Sequence, residues 1–267
     1  MSGHLDVIGT ATLAVVVLMV AAWLVSIARR DVSIVDVVWP LGLILVTGVS
    51  SMVGDGDRDR SILLVAMVTI WGLRLAVHLL RRNLAQGEDP RYSALRRMRG
   101  DNFAMTSLFT VFLYQGVLML LVSLPVQLAM TPRTPDVGFL MLVGVVVWGV
   151  GFFFEVVGDA QLSRFRADPD NDGTVLDSGL WRYTRHPNYF GDCCVWWGIW
   201  IAAAETGDAA YAVGAPVLMT WLLLRVTGAS LLERRMAKTR PAYAAYAERT
   251  SPFIPRPPRS AVREDTS

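Results

Sequence analysis

The stretch WRYTRHPNYFGD, residues 181–192, crowds Arg182, Tyr183, Arg185, His186, Asn188, Tyr189 and Asp192 directly ahead of the apolar run CCVWWGIWIAAA. Guanidinium groups hold phosphate oxygens in pairs, an imidazole exchanges protons near neutral pH, and a carboxamide both donates and accepts hydrogen bonds. Together they suit the binding of a phosphate-bearing anion. Two structural readings compete with that one: a belt of Tyr and Arg at a membrane surface, and Asn188 as a plain helix N-cap.

A second set of candidates lies inside apolar segments, where an ionisable side chain costs about 2.5 to 3.5 kcal/mol on insertion scales. Asp36 stands in SIVDVVWPLG, Arg74 and His78 are spaced i and i+4, Glu155 and Asp159 share the same spacing in FFFEVVGDAQ, Asp192 opens one apolar run and Arg225 lies late in another. The i, i+4 pairs share a helix face. Such residues need partners, water or a function. Asp36 with Arg74, and Glu155 or Asp159 with Arg225, would also serve as ion pairs that merely lock helices together.

The elements that must position these residues are membrane helices. With 53% hydrophobic and 18% charged residues in 267, the chain reads as an all-α integral membrane protein. Seven transmembrane helices are expected at 7–28, 34–53, 61–80, 103–128, 137–158, 190–205 and 209–231, each close to the roughly 20 residues that cross a bilayer. The first lacks a cleavage signal and reads as a retained helix. Arg29 and Arg30, then Arg81, Arg82, Arg91, Arg96, Arg97 and Arg99, then Arg164, Arg166, Arg182 and Arg185, and finally the tail carry most of the 25 Lys and Arg. They fall in alternate connections, which puts the N-terminus outside and the C-terminus in the cytoplasm. Under that topology every intramembrane charge sits in the cytosolic half. A single membrane domain over 1–259 with a disordered tail at 260–267 is expected, as a multi-pass protein of the cell inner (cytoplasmic) membrane.

The connections divide in the same way. GDGDRDR, ETGD and TPRTPD read as outer turns, whereas RRNLAQGEDPRYSALRRMRGDN offers six arginines to an anion such as phosphate. DPDNDG lacks a complete calcium-ligand pattern and reads as a turn, so no metal is expected. Residues 233–250 read as an amphipathic helix ahead of the proline-rich SPFIPRPPRS. Cys193 and Cys194 read as free thiols, Trp196, Trp197 and Trp200 as packing, and terminal His4 as idle. A net charge of +2 gives no case for nucleic acid, and neither a G-x-G-x-x-G turn nor a P-loop is present.

Taken together, GLWRYTRHPNYFGD, EVVGDAQLSRFR, GEDPRY and the tail elements LLERRM, YAAY and SPFIP resemble the bacterial DUF1295 branch of the steroid 5α-reductase family, from SIVDVVW to the tail. RHP-x-Y by itself is also similar to isoprenylcysteine carboxyl methyltransferases and to the sterol C14 and C7 reductases. The resemblance implies a membrane reductase that binds NADPH in its cytosolic half and takes a lipophilic small-molecule substrate from among the membrane lipids. Hydride goes to the β-carbon of an enone and an acid protonates the carbonyl oxygen.

Residue by residue, Asn188 matches a cofactor asparagine, Asp159 and Arg166 a helix 5 aspartate and a following arginine, and Arg225 a helix 7 arginine. The implied cofactor set is Glu155, Asp159, Arg164, Arg166, Arg182, Tyr183, Arg185, His186, Asn188, Tyr189, Asp192, Arg225 and Glu233. The implied catalytic set is Asp36, at a substrate-side glutamate position, Arg74 and His78. Three positions depart from the pattern: Trp71 replaces a proton-donating tyrosine, Asp192 a glutamate and Glu155 an asparagine. Trp71 cannot act as an acid, which leaves Asp36, His78 or a different chemistry. The rival expectations are an S-adenosylmethionine-dependent methyltransferase, which calls for a Glu pair where Glu233 is followed by Arg, and a non-catalytic lipid-binding protein. The oligomeric state is left open.

Overall fold

A computed structural model describes residues 2–132, 137–227, 233 and 236–259. Among them the regular structure is entirely helical. Helix α1 covers Ser2–Arg29, α2 Ile34–Val53 and α3 Arg58–Gln86. The chain then builds one long helical run from the arginine-rich α4 (Pro90–Arg99), a 3-10 turn, α5 (Phe103–Ser107), a π-helical turn at Leu108–Leu113 and α6 (Tyr114–Val122). Helix α7 (Leu124–Ala129), α8 (Phe139–Ala167), α9 (Pro187–Ala204), α10 (Gly214–Trp221) with a second π-helical turn at Leu222–Thr227, and α11 (Tyr243–Arg249) complete the order.

Local sequence explains the helix ends. Asp57 caps α3 by accepting the Arg60 N–H at 2.9 Å, and Asp89 caps α4 by accepting the Arg91 N–H at 2.9 Å with Pro90 in the first turn. Both carboxylates satisfy N–H groups that a helix start leaves open. Gly87 ends α3 at a φ of 72°, a conformation that a β-carbon disfavours.

Among the described residues, six helices are long and apolar enough to cross a membrane: Gly3–Arg29, Ile34–Val53, Arg58–Ala85, Pro90–Val122, Phe139–Ala167 and Asp208–Val226. The expected span at 190–205 is the 18-residue helix α9, but Asn188, Tyr189 and Asp192 in its first turns make it less apolar than the six. The expected amphipathic helix at 233–250 is interrupted at Pro241, which separates a helical stretch at 236–239 from α11. The end of the last expected span, 228–231, and the tail 260–267 lie outside the described residues.

The chain divides into two compact units, Met1–Val145 with Ile199–Ala215 and Val146–Gly198 with Pro216–Ser267. In the first, one end of the helices gathers the short turns. Gly56 N–H donates to Met130 O at 2.8 Å, and Glu205 accepts from Gly138 N–H, Leu140 N–H and the buried Arg60 guanidinium. Burial pushes the Glu205 carboxyl up, but these donors outweigh it and hold the carboxyl below its ordinary range. His4 is bonded here too, its Nε2 3.0 Å from Asp208 Oδ2 and its Nδ1 2.6 Å from Thr131 Oγ1. It therefore ties α1 to two distant turns and is not idle. The opposite end gathers the arginine-rich connections 30–33 and 87–102: Asn83 donates to Ser33 O, Val32 N–H to Glu88, and Arg96 to Arg30 O.

The second unit rests on a crossing of α8 and α9 at glycines. A β-carbon at Gly191 would lie 2.5 Å from Gly151 O and from Glu155 N, and one at Gly151 would lie 2.5 Å from Gly191 O. The two backbones therefore touch, which only residues without a side chain permit. Past this crossing the tail returns to brace the segment 181–186.

Candidate functional site

In the second unit, the α8–α9 crossing decides which polar groups meet. Asn188 sits in the first turn of α9, inside the helix and not at its N-cap, and donates from Nδ2 to Asp159 Oδ1 at 2.9 Å. Glu155 and Asp159 on α8 and Asp192 on α9 are 2%, 6% and 7% exposed. Seven of the implied cofactor residues, Glu155, Asp159, Arg164, Arg166, Asn188, Tyr189 and Asp192, thus lie along one helix pair.

The segment leading into α9 is fastened on two sides. Against α8, Trp181 Nε1 donates to Gly158 O at 3.1 Å and Leu180 N–H to Gln161 Oε1 at 3.0 Å. From the tail, Tyr246 Oη donates to Trp181 O at 2.6 Å and Arg256 N–H to Tyr183 O at 3.0 Å. In the other direction, Thr184 Oγ1 donates to Phe253 O at 2.7 Å and Arg185 N–H to Ser251 O at 2.9 Å. Tyr243 and Tyr246 are buried by this docking. Buried backbone groups outside a helix need such partners, so the tail supplies what a loop at this position lacks.

His186 is 2% exposed. Its Nε2 pairs with Glu233 Oε1 at 2.9 Å, its ring stacks on Tyr189 at 5.6 Å between centroids, and its buried Nδ1 has no hydrogen-bond partner. Arg185 Nε lies 3.4 Å from the same Glu233 oxygen. Burial pushes the Glu233 carboxyl up, but the His186 hydrogen bond and the Arg185 charge outweigh it and hold the carboxyl below its ordinary range. Burial and the Glu233 charge push the Tyr243 hydroxyl up. Arg164, Arg166, Arg182 and Tyr183 are exposed, and Arg225 lies in the π-helical turn Leu222–Thr227. DPDNDG folds as a 3-10 turn capped by Asp168, and both cysteines are free thiols, Cys193 buried in α9.

The first unit holds a different cluster. Asp36 Oδ1 accepts the Tyr92 hydroxyl at 2.9 Å across 56 residues of sequence, and the Tyr92 oxygen accepts from Gln115 Nε2 at 3.3 Å. Arg82 and Arg91 stand 3.5 and 3.7 Å from Asp36 Oδ2. Arg91 also bonds Asp89 through Nε and Nη2, and Arg96 bonds Glu88 at 2.6 Å. Burial pushes the Glu88 and Asp89 carboxyls up, but the hydrogen bonds from Arg96 and Arg91 outweigh it and hold both below the ordinary range. Arg82, Arg91 and Arg96, read from the sequence as ligands for an anion, are therefore engaged with carboxylates of their own unit.

All three catalytic candidates, Asp36, Arg74 and His78, belong to the first unit, and all the cofactor candidates belong to the second. Arg74, His78 and Arg82 follow one another at intervals of four on α3, so they share the stripe from which Arg82 approaches Asp36. Trp71 is completely buried. Sequence reasoning did not single out Tyr92 or Gln115, whereas Tyr243 and Tyr246 read as tail aromatics that lie on the membrane surface or close over a pocket. A signal existed for Tyr92, since it follows the Asp-Pro helix start of α4 by two residues. None exists for Gln115, which lies just past the π-helical turn of the fourth span.

Residues 22–250 match the family model DUF1295, described as a protein of unknown function. The chain is a DUF1295 protein. Its similarity runs from late α1 through α11 and takes in both clusters. This DUF1295 chain is also similar to an uncharacterized protein of Schizosaccharomyces pombe, 22% identical over 270 residues that cover 88% of this chain and 75% of the yeast protein. No solved structure matches.

Proposed function

We propose that this DUF1295 protein is an NADPH-dependent reductase of a carbon–carbon double bond conjugated to a carbonyl, acting on a lipid or steroid-like substrate taken from the bilayer. We read it as a seven-helix protein of a bacterial cytoplasmic membrane, with α9 as the seventh span, its N-terminus outside and its tail in the cytoplasm. The gathering of the arginine-rich connections at one end of the first unit supports that orientation.

The observation that carries the reading is the bond from Asn188 to Asp159 at the α8–α9 crossing, between buried Glu155 and Asp192. The residues present suit the cofactor. The unpartnered buried Nδ1 of His186 and the carboxamide of Asn188 suit a ligand rich in amide and hydroxyl groups, and exposed Arg164, Arg166 and Arg182 suit its phosphates. Bound NADPH supplies a hydride. Asp36 is the candidate acid for the carbonyl oxygen, and Arg74 and His78 share the α3 stripe of Arg82.

The test is thermal unfolding of the purified protein in detergent with NADPH, NADH or S-adenosylmethionine. A ligand at a hundred times its Kd stabilises by about 2.7 kcal/mol, and NADPH is the one expected to do so. Asn188→Ala and Arg225→Ala are each expected to weaken NADPH about tenfold, roughly one lost polar contact. Stabilisation by S-adenosylmethionine alone points instead to methyl transfer, and no response to any of the three points to lipid binding without catalysis.

A further inference from the structure

Helix α1 closes on a residue that is strained where it stands. The Asp31 N–H reaches back to Ser26 O at 3.1 Å and the Arg30 N–H to Ile27 O at 3.2 Å, a closure that puts the residue after the helix in the left-handed region. Glycine usually takes that place, because a β-carbon there costs stability. Here it is Arg30, at a φ of 54°, the one residue other than glycine with a positive φ among the described residues. Orienting a helix across a membrane requires only positive charge in the connection, and Arg29 already supplies it. The strain therefore points to a use for the Arg30 side chain itself.

The surroundings indicate the use. Arg96 Nη2 donates to Arg30 O at 3.1 Å and Trp23 Nε1 to Ala104 O at 2.8 Å, so the end of α1 is held against α4 and the start of α5. Arg29, Arg30, Arg97 and Arg99 are exposed at this corner. Among the described residues none of their guanidinium groups has a hydrogen bond or ion pair, whereas Arg82, Arg91 and Arg96 are taken up by Asp36, Asp89 and Glu88. The other carboxylates of the corner are Asp31, which accepts the Ser33 N–H at 2.8 Å, and exposed Asp101, so it stays positive. Ile27 on α1 and Met105 on α5 lie close in sequence to the groups of the Trp23 bond and are 42% and 58% exposed. Unpaired guanidinium groups thus border an apolar surface of two spans.

We propose that the corner of α1, α4 and α5 binds an acidic glycerophospholipid, its phosphate held by Arg30 with Arg29, Arg97 and Arg99, and an acyl chain lying against Ile27 and Met105. Guanidinium groups take phosphate oxygens in pairs, and the net charge of the headgroup answers the excess of arginine. The apolar border favours a lipid over free phosphate. The site uses no residue assigned to the reaction and does not rest on the reductase reading.

Native mass spectrometry of the full chain in detergent tests this with phosphatidylglycerol, with phosphatidylcholine of the same acyl chains, and with inorganic phosphate as competitor. Phosphatidylglycerol is expected to bind about tenfold more tightly than phosphatidylcholine, and phosphate at the lipid's concentration not to displace it. Arg30→Gly removes the guanidinium and relieves the left-handed position. Affinity for phosphatidylglycerol is expected to fall about fivefold, while the melting temperature without lipid stays level or rises. Adding Arg99→Ala is expected to bring the loss to about twenty-fivefold. Arg58→Ala, at the start of α3 and the other end of the first unit, is expected to keep wild-type affinity. Equal affinity for the two lipids, wild-type affinity in Arg30→Gly, or an equal fall in Arg58→Ala overturns the proposal. So does displacement by inorganic phosphate, which shows an anion site without a lipid. A fall in affinity accompanied by a lower melting temperature in Arg30→Gly shows that Arg30 serves the fold, and overturns it too.

Discussion

The two units solve the same problem, a carboxylate in an apolar setting, with different groups. Around Asp36 the partners are charged or strongly polar, and they come from neighbouring turns that carry carboxylates of their own: Arg91 serves both Asp36 and Asp89, and Arg96 serves Glu88. Around α8 and α9, Asp159 meets the carboxamide of Asn188, and Glu233 meets the imidazole of His186 with Arg185 further off. The first arrangement uses its arginines to hold one acid and the α4 turn in place. The second keeps Arg164 and Arg182 exposed and one imidazole nitrogen open. A cluster that neutralises itself positions a group, whereas a cluster with exposed guanidinium groups is suited to receive an anion.

The largest break in this contrast comes from the helix crossing. Gly191→Val places methyl groups where Gly151 O and Glu155 N lie 2.5 Å from the first added carbon. The obstruction is backbone, so relief requires the helices to part, and a cost of about 3 kcal/mol is expected at the upper end of ordinary overpacking. Hydrogen exchange checks this, with lost protection expected along α8 and α9 and protection retained in α2 and α3. Retained protection along α8 and α9 would show that the crossing is not what assembles the second cluster.

A smaller effect sharpens the comparison through Glu233. Glu233→Gln keeps the shape but loses the charge that pairs with His186 and Arg185. Because the side chain is 28% exposed, about 1 kcal/mol is expected in chemical unfolding, below the value for a fully buried charged hydrogen bond. Its pH dependence has a definite sign. A carboxyl held below its ordinary value stabilises the folded state above that value, here 4.5, and the contribution fades as pH falls through the folded-state value. Wild type is therefore expected to lose stability towards Glu233→Gln on acidification below about 4.5, and a gap between the two that persists unchanged would assign the effect to packing.

The smallest effect is expected at Arg97, which is exposed on α4 beside the Asp36 cluster. Arg97→Ala should stay within about 0.5 kcal/mol of wild type, as is ordinary for surface sites. A larger loss in thermal unfolding would mean that the arginine network of the first unit extends further than the contacts of Arg82, Arg91 and Arg96.

Much of the fold was legible because hydropathy adds up along a helix that rises about 1.5 Å per residue. The span read at 34–53 is α2 residue for residue. The other spans found their helices with looser ends, and α9 was the marginal case because its polar first turns are the candidate site itself. The tail misled because the periodicity of ERRMAKTRPAYAAYAERT outweighed Pro241, whose missing N–H divides the run. His4 misled for another reason: a terminal position says nothing about which turns fold back beside it. The arginines of 81–99 were legible as a basic loop, and so were their acids: Glu88 and Asp89 of the GEDPRY turn read as partners for Arg91 or its neighbours, and they bond Arg96 and Arg91.

The sequence by itself determined the helical class, the apolar segments, the family, and the short list of ionisable residues that an apolar helix would not carry without reason. Those are properties of composition and of spacing along one helix. Only the tertiary structure decided that Asp36 is met by Tyr92 and Gln115, that Asn188 binds Asp159 inside the first turn of α9, and that the tail satisfies the backbone of 181–186. Partners of this kind depend on how each helix is rotated about its axis and how closely two backbones approach. At Gly151 and Gly191 that approach is set by the absence of two side chains 40 residues apart, a pairing that becomes visible only when the helices cross.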